Sequence, residues 1–140
     1  SGREERELRG KWQEYEQKSA ETLKARAERA YIEPREIPWT LEELALYDGR
    51  DPDGPLLIAA DGIVFNVWRG RQFYLPGAAY HAMVGRDATQ LLARNSMEEE
   101  EESSSSPPGT KHPPPLNLAQ RASLAAWLMI YKEKYEVVGR

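Results

Sequence analysis

Through the first thirty positions, Leu8, Trp12, Tyr15, Ser19, Leu23, Ala27 and Ala30 recur in steps of three and four. The rest of residues 3–30 is mostly Glu, Arg, Lys and Ala, with Gly10 as its lone breaker. That pattern predicts one long helix with a narrow apolar stripe. Read with Arg26 in place of Ala27, the stripe has an 11-residue period, which favours a nearly straight contact over a left-handed coiled coil. Such a helix either rests on its own domain or serves as a partner-binding arm. Pro34 and Pro38 end the segment.

From Trp39 the pattern shortens. Thr40-Leu41-Glu42-Glu43 is a capping box that starts a helix over 41–47, stopped by Asp48-Gly49. Leu56-Leu57-Ile58-Ala59-Ala60 is a continuous apolar run and predicts a buried strand. Asp61-Gly62 then makes a tight hairpin turn, and Ile63-Val64-Phe65-Asn66-Val67 returns. Glycine-rich turns surround Tyr74 and Tyr80, and Asp87 or Thr89 caps a helix reaching Ala93.

Residues 95–115 break the pattern with five glutamates, five serines and a cluster of prolines, a low-complexity loop that cannot bury a core. Residues 117–132 predict the last helix. Leu118, Ala122, Ala125, Ala126, Met129 and Ile130 are its expected apolar face, widened by Leu124, Trp127, Leu128 and Tyr131. Lys134 to Gly139 reads as an extended tail.

Composition narrows the function. A net charge of −4 and a pI near 5.3 argue against a grip on nucleic-acid phosphates. The absence of cysteine removes disulfides, zinc ribbons, iron–sulfur clusters and thiol nucleophiles together. No apolar run approaches the roughly 20 residues of a membrane span, and Ser1-Gly2 reads as a cloning scar that follows a removed anchor. No nucleophile elbow, phosphate-cradling glycine loop or HExxH pair is present. Of the two histidines, His112 lies in the proline-rich loop, so a bis-histidine site is disfavoured. Phenol chemistry remains. A tyrosine ionises near 10 in water and becomes a ligand only where a strong Lewis acid such as ferric iron displaces its proton. Tyr74, Tyr80, Lys134 and Tyr135 could build such a site; the alternative places the tyrosines at the rim of the core.

From Trp39 to Gly139 the chain resembles the membrane-associated progesterone receptor family. The resemblance rests on "WTLEELALYDG", on "PLLIAADGIVFNVWRGRQFYLPGAAY", on "VGRDAT" and on "YKEKYEVVG", which occur in order over roughly 100 residues. It implies an α+β fold, a cytochrome b5-like haem/steroid-binding domain over residues 37–140 with a disordered insertion at 97–115. Residues 1–36 form a charged helical arm. By position, Tyr80 corresponds to the axial haem ligand, bound as tyrosinate, and Tyr74 to the tyrosine that orients it. Lys134 and Tyr135 correspond to a pair bonding at the haem edge. Asp87 corresponds to a cap and positioner, while Met83 and Val84 line the slot. The family's Gly-Pro-x-Gly-Pro-Tyr stands here as Leu75-Pro76-Gly77-Ala78-Ala79-Tyr80. Leucine takes positive φ less freely than glycine, and the loss of the second proline is expected to leave the loop less rigid before Tyr80.

The implied cofactor is haem b, ferric and five-coordinate. The implied role is non-enzymatic: regulating or stabilising haem-thiolate mono-oxygenases of sterol synthesis. A sterol is a possible second ligand, and the alternative is a haem-free sterol-binding or adaptor module. An enzymatic peroxidase would need a distal acid–base group, for which His81 is the nearest candidate. The resemblance also implies tethering to the endoplasmic reticulum or another endomembrane, facing the cytoplasm. The arm adds an expected homodimer.

Overall fold

A computed structural model describes residues 2–98 and 114–140. The chain opens with helix α1 (Gly2–Arg29) and continues through α2 (Leu41–Ala45), strand β1 (Leu57–Ala60) and strand β2 (Ile63–Asn66). A 3₁₀ turn at Trp68–Gly70 leads into α3 (Arg71–Tyr74), and a second at His81–Met83 leads into β3 (Arg86–Asp87). Helices α4 (Thr89–Arg94) and α5 (Leu118–Lys134) and strand β4 (Glu136–Gly139) complete it. The acidic run beyond Glu98 and His112 lie outside the described residues.

The strands form one mixed sheet in the order β3-β1-β2-β4. The expected hairpin is present: β1 pairs antiparallel with β2, Leu57 opposite Asn66 and Ala60 opposite Ile63. Asp61 and Gly62 both take positive φ, 50° and 76°, the backbone a two-residue hairpin turn needs. β3 runs parallel to β1, and β4 runs antiparallel to β2 with a bulge. The predicted tail is thus an edge strand.

Both sheet faces are covered, which is why β1 is apolar throughout. Ile58, Ala60 and Phe65 face a core built with Tyr74, Met83, Leu91, Leu92, Leu124, Leu128 and Tyr131. Leu57, Ala59 and Val64 face a smaller core with Leu44, Val138, Ile32, Trp39 and Tyr47.

The capping box of α2 forms as read, with Glu43 N–H donating to Thr40 Oγ1 at 3.1 Å and Thr40 N–H to Glu43 Oε1 at 3.1 Å. Arg35 adds a two-pronged bond to Glu43, at 2.6 and 2.8 Å, and stacks on Trp39. This bonding, Arg35 foremost, pushes the Glu43 carboxyl down to about 2 from the usual 4.5. Because the folded value lies below the unfolded one, Glu43 contributes stability that is complete above pH 4.5 and is lost as pH falls toward 2. Glu43→Gln is therefore expected to be less stable than the native chain at pH 7 and equal to it near pH 2, as urea melts at the two pH values would show.

Two readings need correction. The expected apolar face of α5 is turned outward: Leu118, Met129 and Ile130 are 84, 73 and 41% exposed, and Ala122, Ala125 and Ala126 are also exposed. The buried residues are Leu124, Leu128 and Tyr131, which pack on α4 and the sheet. Apolar residues surround this helix so fully that periodicity could not choose a side. Leu75 is also unstrained. Its φ is −68°, and the positive φ of the loop falls on Gly77 at 90°, where Pro76-Gly77 make a type II turn closed by Ala78 N–H to Leu75 O at 2.9 Å.

The arm docks only by its root. No residue of α1 is buried, whereas Ala30, just beyond it, is 1% exposed. Asn66 holds that end: its Nδ2 donates to Ala30 O at 2.8 Å, and its Oδ1 accepts from the backbone N–H of Leu56 and Trp68. Arg26 and Arg29 add exposed ion pairs to Asp53 and Asp51.

Candidate functional site

The loop from α3 to β3 brings Tyr74 and Tyr80 side by side, with ring centroids 6.1 Å apart. Tyr74 is the last residue of α3 and points into the core, 3% exposed. Its hydroxyl shares a 2.8 Å hydrogen bond with that of Tyr131, and the Tyr131 hydroxyl also approaches Met83 Sδ at 3.9 Å. Burial first, and then the neighbouring phenol, pushes Tyr74 well above its usual ionisation range. Burial likewise pushes Tyr131 up to about 12 and raises Tyr135. These three phenols are held neutral, as hydrogen-bonding and packing groups.

Tyr80 is different. It is only half-buried, its ring lies among Phe73, Tyr74 and Trp127, and its hydroxyl is bonded to nothing among the described residues. Its oxygen is thus available to a ligand, beside an aromatic wall that a flat apolar group could lie against.

α5 supplies that wall. Trp127, Tyr131 and Tyr135 stand one helical turn apart with centroids 6.2 and 5.4 Å apart, the i, i+4 spacing of one helix face. Trp127 Nε1 donates to Asn95 Oδ1 at 2.7 Å, which fixes the indole. Tyr135 also meets the ring of Tyr74 edge-on, and its hydroxyl sits so close to Gly70 that any side chain there would collide with it.

Of the predicted site residues, the structure therefore brings together Tyr74, Tyr80, Met83, Val84 and Tyr135. It does not bring in the other two. Lys134 is exposed at the end of α5 and bonded to nothing among the described residues. Asp87 is exposed, and its carboxylate accepts from Thr89 N–H at 3.0 Å and from the Thr89 hydroxyl. The N-cap of α4 is Ala88, which makes no side-chain cap bond, so neither Asp87 nor Thr89 is the expected cap. Tyr131, Trp127 and Phe73 were missed as site residues. A cleft of about 350 Å³ at the arm root, lined by Lys24, Glu28, Tyr31, Trp68, Arg69 and Glu136 among others, includes none of the predicted residues.

No family model matches the chain. It is 37% identical over 103 residues to the human membrane-associated progesterone receptor component 2, covering 73% of this chain and 44% of that protein. It is 32% identical over 111 residues to the cytochrome P450 regulator dap1 of Schizosaccharomyces pombe, covering 77% of this chain and 66% of that one. The chain thus spans less than half the length of the human relative. Among solved structures, an Arabidopsis thaliana protein described as having a cytochrome b5 like fold superposes with a TM-score of 0.58 at 34% identity, covering 79% of this chain and 93% of that one. With that coverage, the ordered motifs and the mixed sheet under its helices, the chain belongs to the membrane-associated progesterone receptor family and has its cytochrome b5-like α+β fold.

Proposed function

We propose that this chain binds ferric haem b through Tyr80 as a five-coordinate tyrosinate complex, and that it regulates haem-thiolate mono-oxygenases of sterol synthesis without being an enzyme itself. The observation that carries the first half is the contrast between phenols: Tyr74 and Tyr131 are buried, paired and held neutral, while Tyr80 is accessible and unpaired. The residues present fit the group. Tyr80 would supply the ligand oxygen, Tyr74 and Met83 would pack behind its ring, and Trp127 and Phe73 would offer the apolar wall. Bound there, haem supplies a ferric centre that the anionic ligand keeps oxidised, which suits a regulator better than an electron shuttle.

The second half rests on the relatives' names, a receptor component and a P450 regulator. The same names support membrane association; its placement at an endomembrane with this domain facing the cytoplasm is part of the proposal. No helix among the described residues is long and apolar enough to cross a membrane. The direct test is the visible spectrum with one equivalent of hemin. A bound ferric tyrosinate spectrum is the expected result. A free-hemin spectrum together with saturable binding of a sterol would instead support the haem-free module.

The arm supports a homodimer with a second copy of this chain. Leu8, Trp12, Tyr15 and Leu23 are 53–68% exposed in one stripe, and the Trp12 and Tyr15 rings already pack 5.6 Å apart. Eight basic and seven acidic side chains make α1 nearly neutral in a chain of net −4, so two such helices meet with little net repulsion. Light scattering is expected to show a dimer with or without hemin, and Trp12→Ala to shift it toward monomer. A native monomer under all conditions sinks the idea; a dimer found only with hemin points to contact between haem faces.

A further inference from the structure

The loop between the two phenols lacks one of the prolines its motif would carry, yet it is closed. We infer that the imidazole of His81 is the clamp that holds it, and that His81 is a positioning residue for Tyr80. This inference rests on the haem reading for its consequence but not for its geometry.

The loop is tied by short backbone bonds: Leu75 N–H to Arg71 O at 3.0 Å, Ala78 N–H to Leu75 O at 2.9 Å, and Tyr80 N–H to Phe73 O at 2.9 Å. His81 N–H to Ala78 O, at 3.3 Å, is longer. One strand-like link, Tyr80 to Phe73, therefore sets where the second phenol starts. Beside it, the carbonyl of Tyr74 receives no backbone N–H among the described residues and accepts the His81 ring at 2.9 Å instead. A carbonyl can only accept, so Nδ1 carries the proton. The bond joins the residue of the first phenol to the residue that follows the second, across seven positions. It fastens the two ends of the loop just where Ala78 and Ala79 leave the chain free to hinge. His81 is half-buried, so water competes with this bond less than it would at a fully exposed site.

With the clamp in place, Tyr80 leaves the loop in one direction, toward Trp127 and Tyr74. Without it, Leu75 to Tyr80 can swing as a unit on Phe73, and the phenol samples orientations in which its oxygen no longer faces a ligand lying on the wall. The His81 ring bonds to the Tyr74 carbonyl and not to the Tyr80 hydroxyl. It acts through the backbone.

The test compares His81→Ala with His81→Asn, whose amide nitrogen sits at the level of Nδ1 and can still donate to the Tyr74 carbonyl. Two quantities are measured on the full chain: amide hydrogen exchange at Ala78, Tyr80 and His81 without hemin, and hemin affinity with its visible spectrum. For one side chain-to-backbone bond, His81→Ala is expected to speed loop exchange and weaken hemin binding roughly three- to tenfold, with the type of spectrum unchanged. His81→Asn is expected to restore most of both, and melting curves check that each variant is folded. Native-like exchange in His81→Ala overturns the inference. So does failure of a folded His81→Asn to rescue, or an altered ligation spectrum in His81→Ala, which would make His81 a ligand. Faster exchange in His81→Ala, rescued by His81→Asn, in a chain that never binds hemin upholds the clamp and defeats the haem reading.

Discussion

Tyr80→Phe is expected to abolish the ferric tyrosinate spectrum and to weaken hemin binding by more than about a hundredfold. Outer-shell changes at metal sites typically cost about ten- to a hundredfold, and this change removes the proposed ligand itself. The fold should barely notice, because the Tyr80 hydroxyl is bonded to nothing among the described residues and its half-buried ring is kept by phenylalanine. Tyr74→Phe gives the opposite balance. It leaves the ligand in place but strips the Tyr131 hydroxyl of its buried partner, at a cost of about 1–3 kcal/mol in stability, with hemin retained less firmly. Hemin titrations and urea melts on both variants separate a ligand from a positioning phenol. A Tyr80→Phe chain with the native spectrum would show that another group holds the iron.

What was readable from sequence alone follows from how local each cause is. The α2 capping box, the Asp61-Gly62 turn and the long arm are set by residues within four positions of one another, and all three appear as expected. The motif order placed Tyr74, Tyr80 and Tyr135 in one cluster. The partner of Tyr74 was not legible, because Tyr131 lies 57 positions away and meets it only once α5 has packed on the sheet. The side that α5 buries was hidden for the same reason: its apolar residues surround the helix, and α4 decides which of them are covered. β3 is two residues long and pairs with β1 across the chain, too short for any alternation to show. Trp127, Tyr131 and Tyr135 did carry a signal in their four-residue spacing, but that spacing also describes an ordinary core stripe.

The arm's fate turns on one amide. Asn66 is 8% exposed and sits at the end of β2, read from sequence as one more strand residue. Its side chain serves three backbone groups at once: the N–H of Leu56, the N–H of Trp68 and the carbonyl of Ala30. Asn66→Ala leaves all three without that partner in a buried place, and each such group costs about 1–3 kcal/mol. A total loss of about 3 kcal/mol or more is expected, enough to shift a urea midpoint strongly. Asn66→Asp separates the two jobs. A carboxylate still accepts from Leu56 and Trp68 but cannot donate, and it sets an anion against the Ala30 carbonyl. It should therefore release the arm as fully as alanine does, while the buried charge adds a desolvation cost of its own. The remaining anchors are Arg26–Asp53 at 3.6 Å and Arg29–Asp51 at 3.3 Å, both largely exposed, and such pairs contribute about 0–1 kcal/mol. They cannot hold a 28-residue helix in place alone. Amide exchange at Ala30 and Tyr31, whose N–H groups close the last turn onto Arg26 and Glu28, is expected to quicken in both variants. Protection that survives in Asn66→Asp would mean the arginine pairs, and not the amide, fix the arm to the domain.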